Sequence, residues 1–418
     1  MDIRKIVIKG LFGEIDHEID LSDSITILMG DNGVGKTAVL RIINAIFDKD
    51  FRYLMELEFE SICVWLKNRK EGRIMYRKDE HADIVVQSSL NANEDFCVHS
   101  SDVAISLPSF VHEVSSDRWH DIRSHAILNL DDLRQYYGKD IFEMNEGVLP
   151  KWYVDYLTDS SVRMIGTQRL YQLSNIGRRG DIVKINMYSR NLAYYISTEL
   201  SNAGKQAAEL DRSFPVRLVK QMKANRTYKT EQLFDDLESL EKQRNKMSEV
   251  GFIDKEKTDL DEVLSVQNLD KTMMNVIRLY IRDSQEKLNK YQKAADKVLL
   301  FLNIINSRLK GKALSADARK GFVITSSKSK DKEIDAGQLS SGEQNEIVLF
   351  YDLIFNCDKC SLVLIDEPEI SLHLEWLQQM LTDFKKIVEQ NGMKMLIATH
   401  SPDFVGDNYD LVQNLTYE

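Results

Sequence analysis

The run Gly30-Asp31-Asn32-Gly33-Val34-Gly35-Lys36-Thr37 fits the pattern G-x-x-x-x-G-K-[ST]. Residues 25–29 before it read as a buried strand, and residues 38–47 after it carry apolar side chains at helical spacing. Strand, glycine-bearing loop and helix in that order turn backbone N–H groups and the positive end of the helix towards one point, which suits a phosphate. In this reading Asn32, Gly33 and Gly35 shape the cradle. Lys36 reaches the β- and γ-phosphates and the Thr37 hydroxyl holds Mg²⁺.

Around this loop the chain divides by pattern. Strands are expected over residues 3–9, 13–21 and 25–30, followed beyond the loop helix by short β-like runs at 59–67, 73–77, 84–90 and 96–99, an antiparallel meander. Residues 103–160 are less periodic and read as mostly helical, and residues 161–170 return to a strand with a polar tip that contains Gln168. From about 186 to 310 the chain is helical, with a heptad seam of Ile277, Ile281, Ser284, Leu288, Tyr291, Ala295, Val298, Leu302, Ile305 and Leu309. Leu233, Leu237, Leu240, Arg244 and Met247 form its upstream partner. At 1.5 Å per residue the seam gives an arm of roughly 50 Å; a compact helical bundle is the alternative. The basic stretch after Leu309, with a strand over 321–325, reads either as a phosphate-contacting edge or as a solvated loop.

Net charge is −11, which argues against a protein that coats nucleic acid by general attraction. No apolar run approaches the ~20 residues that span a bilayer, and the first residues lack a signal-peptide core, so a cytoplasmic protein without membrane attachment is expected. Of four cysteines only Cys357 and Cys360 are close in sequence, and reduced thiols are the expectation over a structural zinc.

Four motifs follow near the far end of the chain: Leu339-Ser340-Ser341-Gly342-Glu343-Gln344 before a helix; a strand over 361–366 running into Asp366-Glu367-Pro368-Glu369; Ile370-Ser371-Leu372-His373-Leu374; and a buried strand over 395–399 that ends at His400. Asp366 delivered beside the loop would orient Mg²⁺, and Glu367 would polarise a water for in-line attack on a γ-phosphate. Ser341 and Gly342 at a helix start make an anion-binding terminus. His400 at a strand tip would touch the γ-phosphate or the attacking water.

In this order and spacing the motifs resemble the ATP-binding-cassette ATPases, most closely the SMC, RecF and overcoming-lysogenization-defect branch. Among these the chain looks like the soluble ATPases of bacterial antiphage systems of the Septu and PARIS types. The resemblance rests on about residues 1–60 and 335–405. It implies an α/β P-loop head split by an internal helical insertion: an N-terminal lobe over 1–172 with an insert at about 103–160, an arm over 173–310, and a C-terminal lobe over 311–418. It further implies ATP and Mg²⁺ as ligands, with Lys36 and Thr37 on phosphate and metal, Asp366 supporting the metal, Glu367 as catalytic base and His400 as switch histidine. Ser341, Gly342 and Gln344 become the signature that caps the ATP of a second subunit. Residues 371–374 become a D-loop, and Gln168 takes the place of the metal-linking Q-loop glutamine.

The overcoming-lysogenization-defect nucleases carry a nuclease domain after the head. Only 18 residues (418 − 400) follow His400, so a nuclease is expected on a separate polypeptide. The expected function is a slow, ATP-gated, head-to-head dimeric switch, open to higher homo-oligomers, that holds such an effector. A RecF-like clamp with DNA as partner and a non-hydrolysing scaffold are the alternatives.

Overall fold

In the computed structural model the strand Ile25–Met29 (β3) is the keystone of a parallel sheet. It lies between Lys394–Thr399 (β20) and Val412–Asn414 (β21), with Leu362–Asp366 (β19) and Val162–Ile165 (β13) beyond, in the order β13-β19-β20-β3-β21. All four pairings are parallel, and Ile27 faces both Ile397 and Val412. β19 is buried at every position, the mark of a strand covered on both faces. The description covers residues 2–417 apart from 68–70, 90–94, 116–117, 124–125, 130–131, 134–140, 146, 159–160, 168, 173–181, 224–229, 254–269, 328, 358, 371 and 373.

The chain forms two units, Met1–Lys184 with Val348–Glu418, and Ile185–Ile347. In the first unit a second, antiparallel sheet runs β2-β1-β4-β5-β6-β7, made of Asp2–Leu11 (β1), Ile15–Asp20 (β2), Ser61–Lys67 (β4), Glu71–Lys78 (β5), Ile84–Ser88 (β6) and Phe96–Val98 (β7). The meander expected after the loop helix is therefore present, continuous with the first two strands. β2 alternates strictly between buried and exposed, as a half-buried strand should. One apolar cluster joins this sheet (Ile6, Ile8, Ile62, Val64) to the helix Lys36–Asp48 (Val39, Leu40, Ile43) and to the parallel sheet (Leu364, Leu396). The helix Lys151–Thr158 plugs one side, where the Tyr153 and Tyr76 hydroxyls meet at 3.0 Å inside the core.

The helical expectation for residues 103–160 is corrected. The described part consists mainly of short strands, Val103–Ile105 (β8), Val111–Ser115 (β9), Arg118–Asp121 (β10), Ala126–Leu128 (β11) and Phe142–Met144 (β12), and Lys151–Thr158 is its one regular helix of two turns. Trp119, Val111, Leu128 and Leu133 form a small core of their own. Strands this short leave too few alternations to read as β in sequence. Two further short strands, Tyr171–Gln172 (β14) and Ile182–Val183 (β15), pair antiparallel.

The second unit is helical, with helices Lys184–Lys223, Thr230–Glu249, Lys271–Asn289 and Gln292–Asn306, and a three-stranded antiparallel sheet of Lys312–Asp317 (β16), Gly321–Ser326 (β17) and Ser329–Glu333 (β18). The heptad seam is real as a buried stripe: Ile281, Ser284, Leu288, Ala295, Val298, Leu302 and Ile305 are all buried, and Ile281 packs on Leu233 and Leu237. The seam does not run along one unbroken helix. The helix stops at Asn289 and resumes at Gln292, because the N–H groups of Lys290 and Tyr291 bond three residues back instead of four. The seam's spacing passes through this break, so the heptad pattern alone does not reveal it. The basic stretch is the β16–β18 sheet; Lys312 pairs with Glu343 at 2.8 Å and Lys320 with Glu333 at 2.6 Å.

Candidate active site

The loop after β3 closes onto its own lysine. Lys36 Nζ donates to the carbonyls of Gly30 (2.7 Å) and Asp31 (3.0 Å), which keeps a cation curled beneath the backbone turn. Gly35, with φ 95°, stands immediately before the helix, and a side chain there would press on Leu11 at 2.9 Å. A side chain on Gly30 would strike the Leu415 carbonyl at 2.5 Å. The buried His17 donates from Nε2 to the Val34 carbonyl (2.7 Å), and the Tyr417 hydroxyl donates to the Asn32 carbonyl (3.1 Å), so both faces of the loop are tethered.

Thr37 and Asp366 lie 329 residues apart in sequence, yet the Thr37 hydroxyl reaches both carboxylate oxygens of Asp366 at 3.0 and 3.1 Å. Asp366 ends β19 and is 6 % exposed. Burial pushes its carboxyl above the usual aspartate range, the Thr37 hydroxyl opposes this, and Glu367 adds to it. A buried carboxylate served by a single hydroxyl suits a hard cation that takes oxygen ligands.

Glu367 is the next residue and one of four described non-glycine residues with positive φ, at 44°. Its N–H donates to the Ala398 carbonyl at the end of β20 (2.9 Å), and its own carbonyl accepts from Arg169 Nη2 (3.0 Å). Its carboxylate is partly exposed and lies 3.5 Å from His400 Nδ1. Glu369 stands equally close to that nitrogen, at 3.5 Å, and its Oε1 accepts from the Thr399 hydroxyl (2.6 Å) and the His400 N–H (3.2 Å). Among the described residues, Glu369 Oε2 is buried without a hydrogen-bond partner. An unmet acceptor beside Asp366 and Glu367 fits a site built to receive a hydrated cation.

Two residues here were not assigned roles from sequence. Arg169 is 4 % exposed; burial pushes its guanidinium down to about 10, against the pull of Glu369, Asp352 and Asp366. Its signal was a charged residue in an otherwise strand-like run. Glu369 was visible only as the last letter of the acidic motif, and its role depends on the parallel alignment of β19 with β20. Gln168 and Ser371 lie outside the described residues.

In the second unit, Ser341 opens the helix Ser341–Tyr351 and is exposed. Ser340 caps it: the Glu343 N–H donates to Ser340 Oγ (3.3 Å), and the Ser340 N–H donates back to Glu343 Oε2 (2.8 Å). Burial works against the Glu343 charge, but Lys312 and Ser340 hold its carboxyl below the usual range. Gln344 donates to the Leu339 carbonyl (2.9 Å), and Gly342 is buried.

The sequence from residue 1 to 405 matches the family described as AAA ATPase domain. The chain belongs to that family. No curated protein matches it. Solved structures similar to it include the Smc head domain of Pyrococcus furiosus with an extended coiled coil bound to the C-terminal domain of ScpA (16% identity, 100% of this chain and 94% of that one, TM-score 0.41). The SMC head domain of Thermotoga maritima is similar at 10% identity, over 100% and 95% of the two chains, with TM-score 0.38. Among the described residues of this AAA ATPase family member, no helix is long and apolar enough to cross a membrane.

Proposed function

We propose that the chain binds Mg²⁺–ATP and hydrolyses it slowly, as a dimeric switch that controls a separate effector, a nuclease of an antiphage system. The observation that carries this reading is the meeting of Thr37, Asp366, Glu367, Glu369 and His400, drawn from far-apart stretches of the chain to the carboxyl ends of neighbouring strands of one parallel sheet. Thr37 and Asp366 would hold Mg²⁺, which neutralises charge on the phosphate oxygens. Lys36 would leave the Gly30 and Asp31 carbonyls for the phosphates. Glu367 would accept the proton of the attacking water, with His400 beside it to bond the departing phosphate. Ser341, at the start of its helix, is exposed, and an exposed anion-binding helix start is what a second subunit's nucleotide requires.

Size-exclusion chromatography with ATP tests the shared site. Glu367→Gln should run as an ATP-dependent dimer, and Ser341→Arg should bind ATP yet remain monomeric. A Ser341→Arg variant that dimerises with ATP would sink the shared-site reading. Co-purification with the product of the adjacent gene, with and without ATP, tests effector control. Strong stimulation by DNA ends with no protein partner would favour a repair clamp, although Lys312 and Lys320 of the basic sheet are already engaged by Glu343 and Glu333.

A further inference from the structure

At the free edge of the antiparallel sheet, β6 and β7 pair with Val85 opposite Cys97 and Ile84 opposite Val98. One further step along that ladder sets Asp83 against His99. Ile84, Val86 and Val98 are buried in the core, so the alternation turns Asp83, Cys97 and His99 to the other face together. Their ligating atoms all lie within 4.8 Å of one another, and Asp83 Oδ2 is 2.6 Å from His99 Nδ1.

The backbone around them is fixed by other carboxylate oxygens. Asp83 Oδ1 accepts from the Ser100 N–H (3.1 Å), Asp79 Oδ1 from the Asp83 N–H (3.0 Å), and Asp102 Oδ2 from the His99 N–H (2.8 Å). Those bonds engage Asp83 Oδ1 and backbone N–H groups, so Asp83 Oδ2, in contact with His99 Nδ1, and Cys97 Sγ are left to take a metal. Magnesium and calcium take oxygen ligands and have no use for a thiol. A thiolate, an imidazole nitrogen and a carboxylate oxygen are together the donor set of a borderline-soft ion, three protein ligands with one position left for water.

We propose that Asp83, Cys97 and His99 bind one Zn²⁺-class cation, with water as fourth ligand, and that the ion clips the edge strand β7 to the turn at residues 79–83. With bonds of about 2.0–2.3 Å in a tetrahedron the donors sit roughly 3.3–3.7 Å apart, so the Asp83–His99 contact opens by about 1 Å on loading. The thiol proton and the proton shared by Asp83 and His99 leave to solvent as the metal enters. The site is separate from the Thr37–Asp366 pair and needs no nucleotide.

The test uses the full chain, stripped with chelator and titrated with Co²⁺ in excess Mg²⁺. One equivalent should bind with a near-ultraviolet thiolate-to-cobalt band that Zn²⁺ abolishes. Cys97→Ser should lose the band, and His99→Ala should weaken Zn²⁺ binding at least about 100-fold. Zn²⁺ should raise the melting temperature of the parent and of neither variant. Equal melting temperatures of all three proteins in chelator would establish that the variants fold. Absence of the band, or a band that persists in Cys97→Ser, would overturn the proposal; the second result would place the cobalt on Cys357 and Cys360.

Discussion

Arg169 Nη2 donates to the backbone carbonyl of Glu367 at 3.0 Å, and Glu367 is held at a φ of 44°. A bulky residue in that conformation persists only where its surroundings impose it. The Ala398 carbonyl fixes the peptide before Glu367, and Arg169 fixes the one after it. Under the proposed function, in which Glu367 is the base, Arg169 positions it. Arg169→Gln should lower kcat of the ATPase about 100-fold while the KM for ATP stays within about twofold. Arg169→Lys, which keeps the charge but not the planar fork, should recover part of the loss. Steady-state phosphate release over a range of ATP concentrations measures both; an unchanged kcat in Arg169→Gln would reduce Arg169 to packing.

Glu367 and Glu369 flank His400 at the same 3.5 Å, but their other contacts separate their duties. Glu369 is occupied by Thr399 and the His400 backbone, whereas Glu367 is open to solvent on one side. Glu367→Gln should reduce hydrolysis at least about 100-fold with ATP binding intact. Glu369→Gln should reduce it less, since Glu369 reaches His400 through the Thr399 hydroxyl and the His400 backbone. A larger loss in Glu369→Gln than in Glu367→Gln would reverse the assignment of the base.

Asp366 carries a stability signature of opposite sign to that of most carboxylates. Burial raises its folded-state pKa above the unfolded value, so just above the ordinary aspartate range the folded state holds the proton more tightly than the unfolded chain. Stability is therefore lost as pH rises through that window, and above it the buried charge is a standing cost in the nucleotide-free protein. Asp366→Asn should raise the melting temperature of the nucleotide-free chain at neutral pH and flatten its dependence on pH in the acid range. The same change should abolish the additional stabilisation by Mg²⁺–ATP. Calorimetry with and without nucleotide reads both effects, and a lower melting temperature in the free variant would contradict this account.

Tyr76 and Tyr153 share one hydrogen bond deep in the first unit, and burial raises both phenols above their ordinary range. Removing either hydroxyl leaves the other buried and unmet, at a cost of about 1–3 kcal/mol. Removing both leaves no orphan. Denaturant unfolding of Tyr76→Phe, Tyr153→Phe and the double variant should show the double less destabilised than the sum of the two singles. Simple additivity would mean that the hydroxyl pair is not coupled.

The parts of this molecule readable in sequence were those that repeat or that carry glycine and charge at fixed spacing. The strand–loop–helix of residues 25–48 and the meander that follows it read directly, β3 as a short buried apolar run before the glycine loop and the meander strands from their patterned runs between polar turns. Thr37, Asp366, Glu367 and His400 were named from motif spacing, and their mutual distances follow from the parallel pairing of β19, β20 and β3. Arg169 and Glu369 escaped because their roles lie in bonds to backbone atoms that exist only once that sheet is formed. The β8–β12 strands were missed for brevity, and the break at Lys290 because a heptad survives a local tightening of the turn.

The order of the parallel sheet also bears on how the protein is made. The P-loop strand pairs through Ile25 with Met395 and through Ile27 with Val412, so both of its neighbours are synthesised long after it. Until then the antiparallel sheet from residues 2–98 has its strands at hand, while β3 waits with both edges bare. Such an edge invites wrong pairing during synthesis, and pairing between segments so far apart in sequence is slow. Chains arrested before residue 394 should accordingly expose the 25–29 segment to protease while protecting β4 and β5, with phosphate binding appearing only once residues 394–414 have been made.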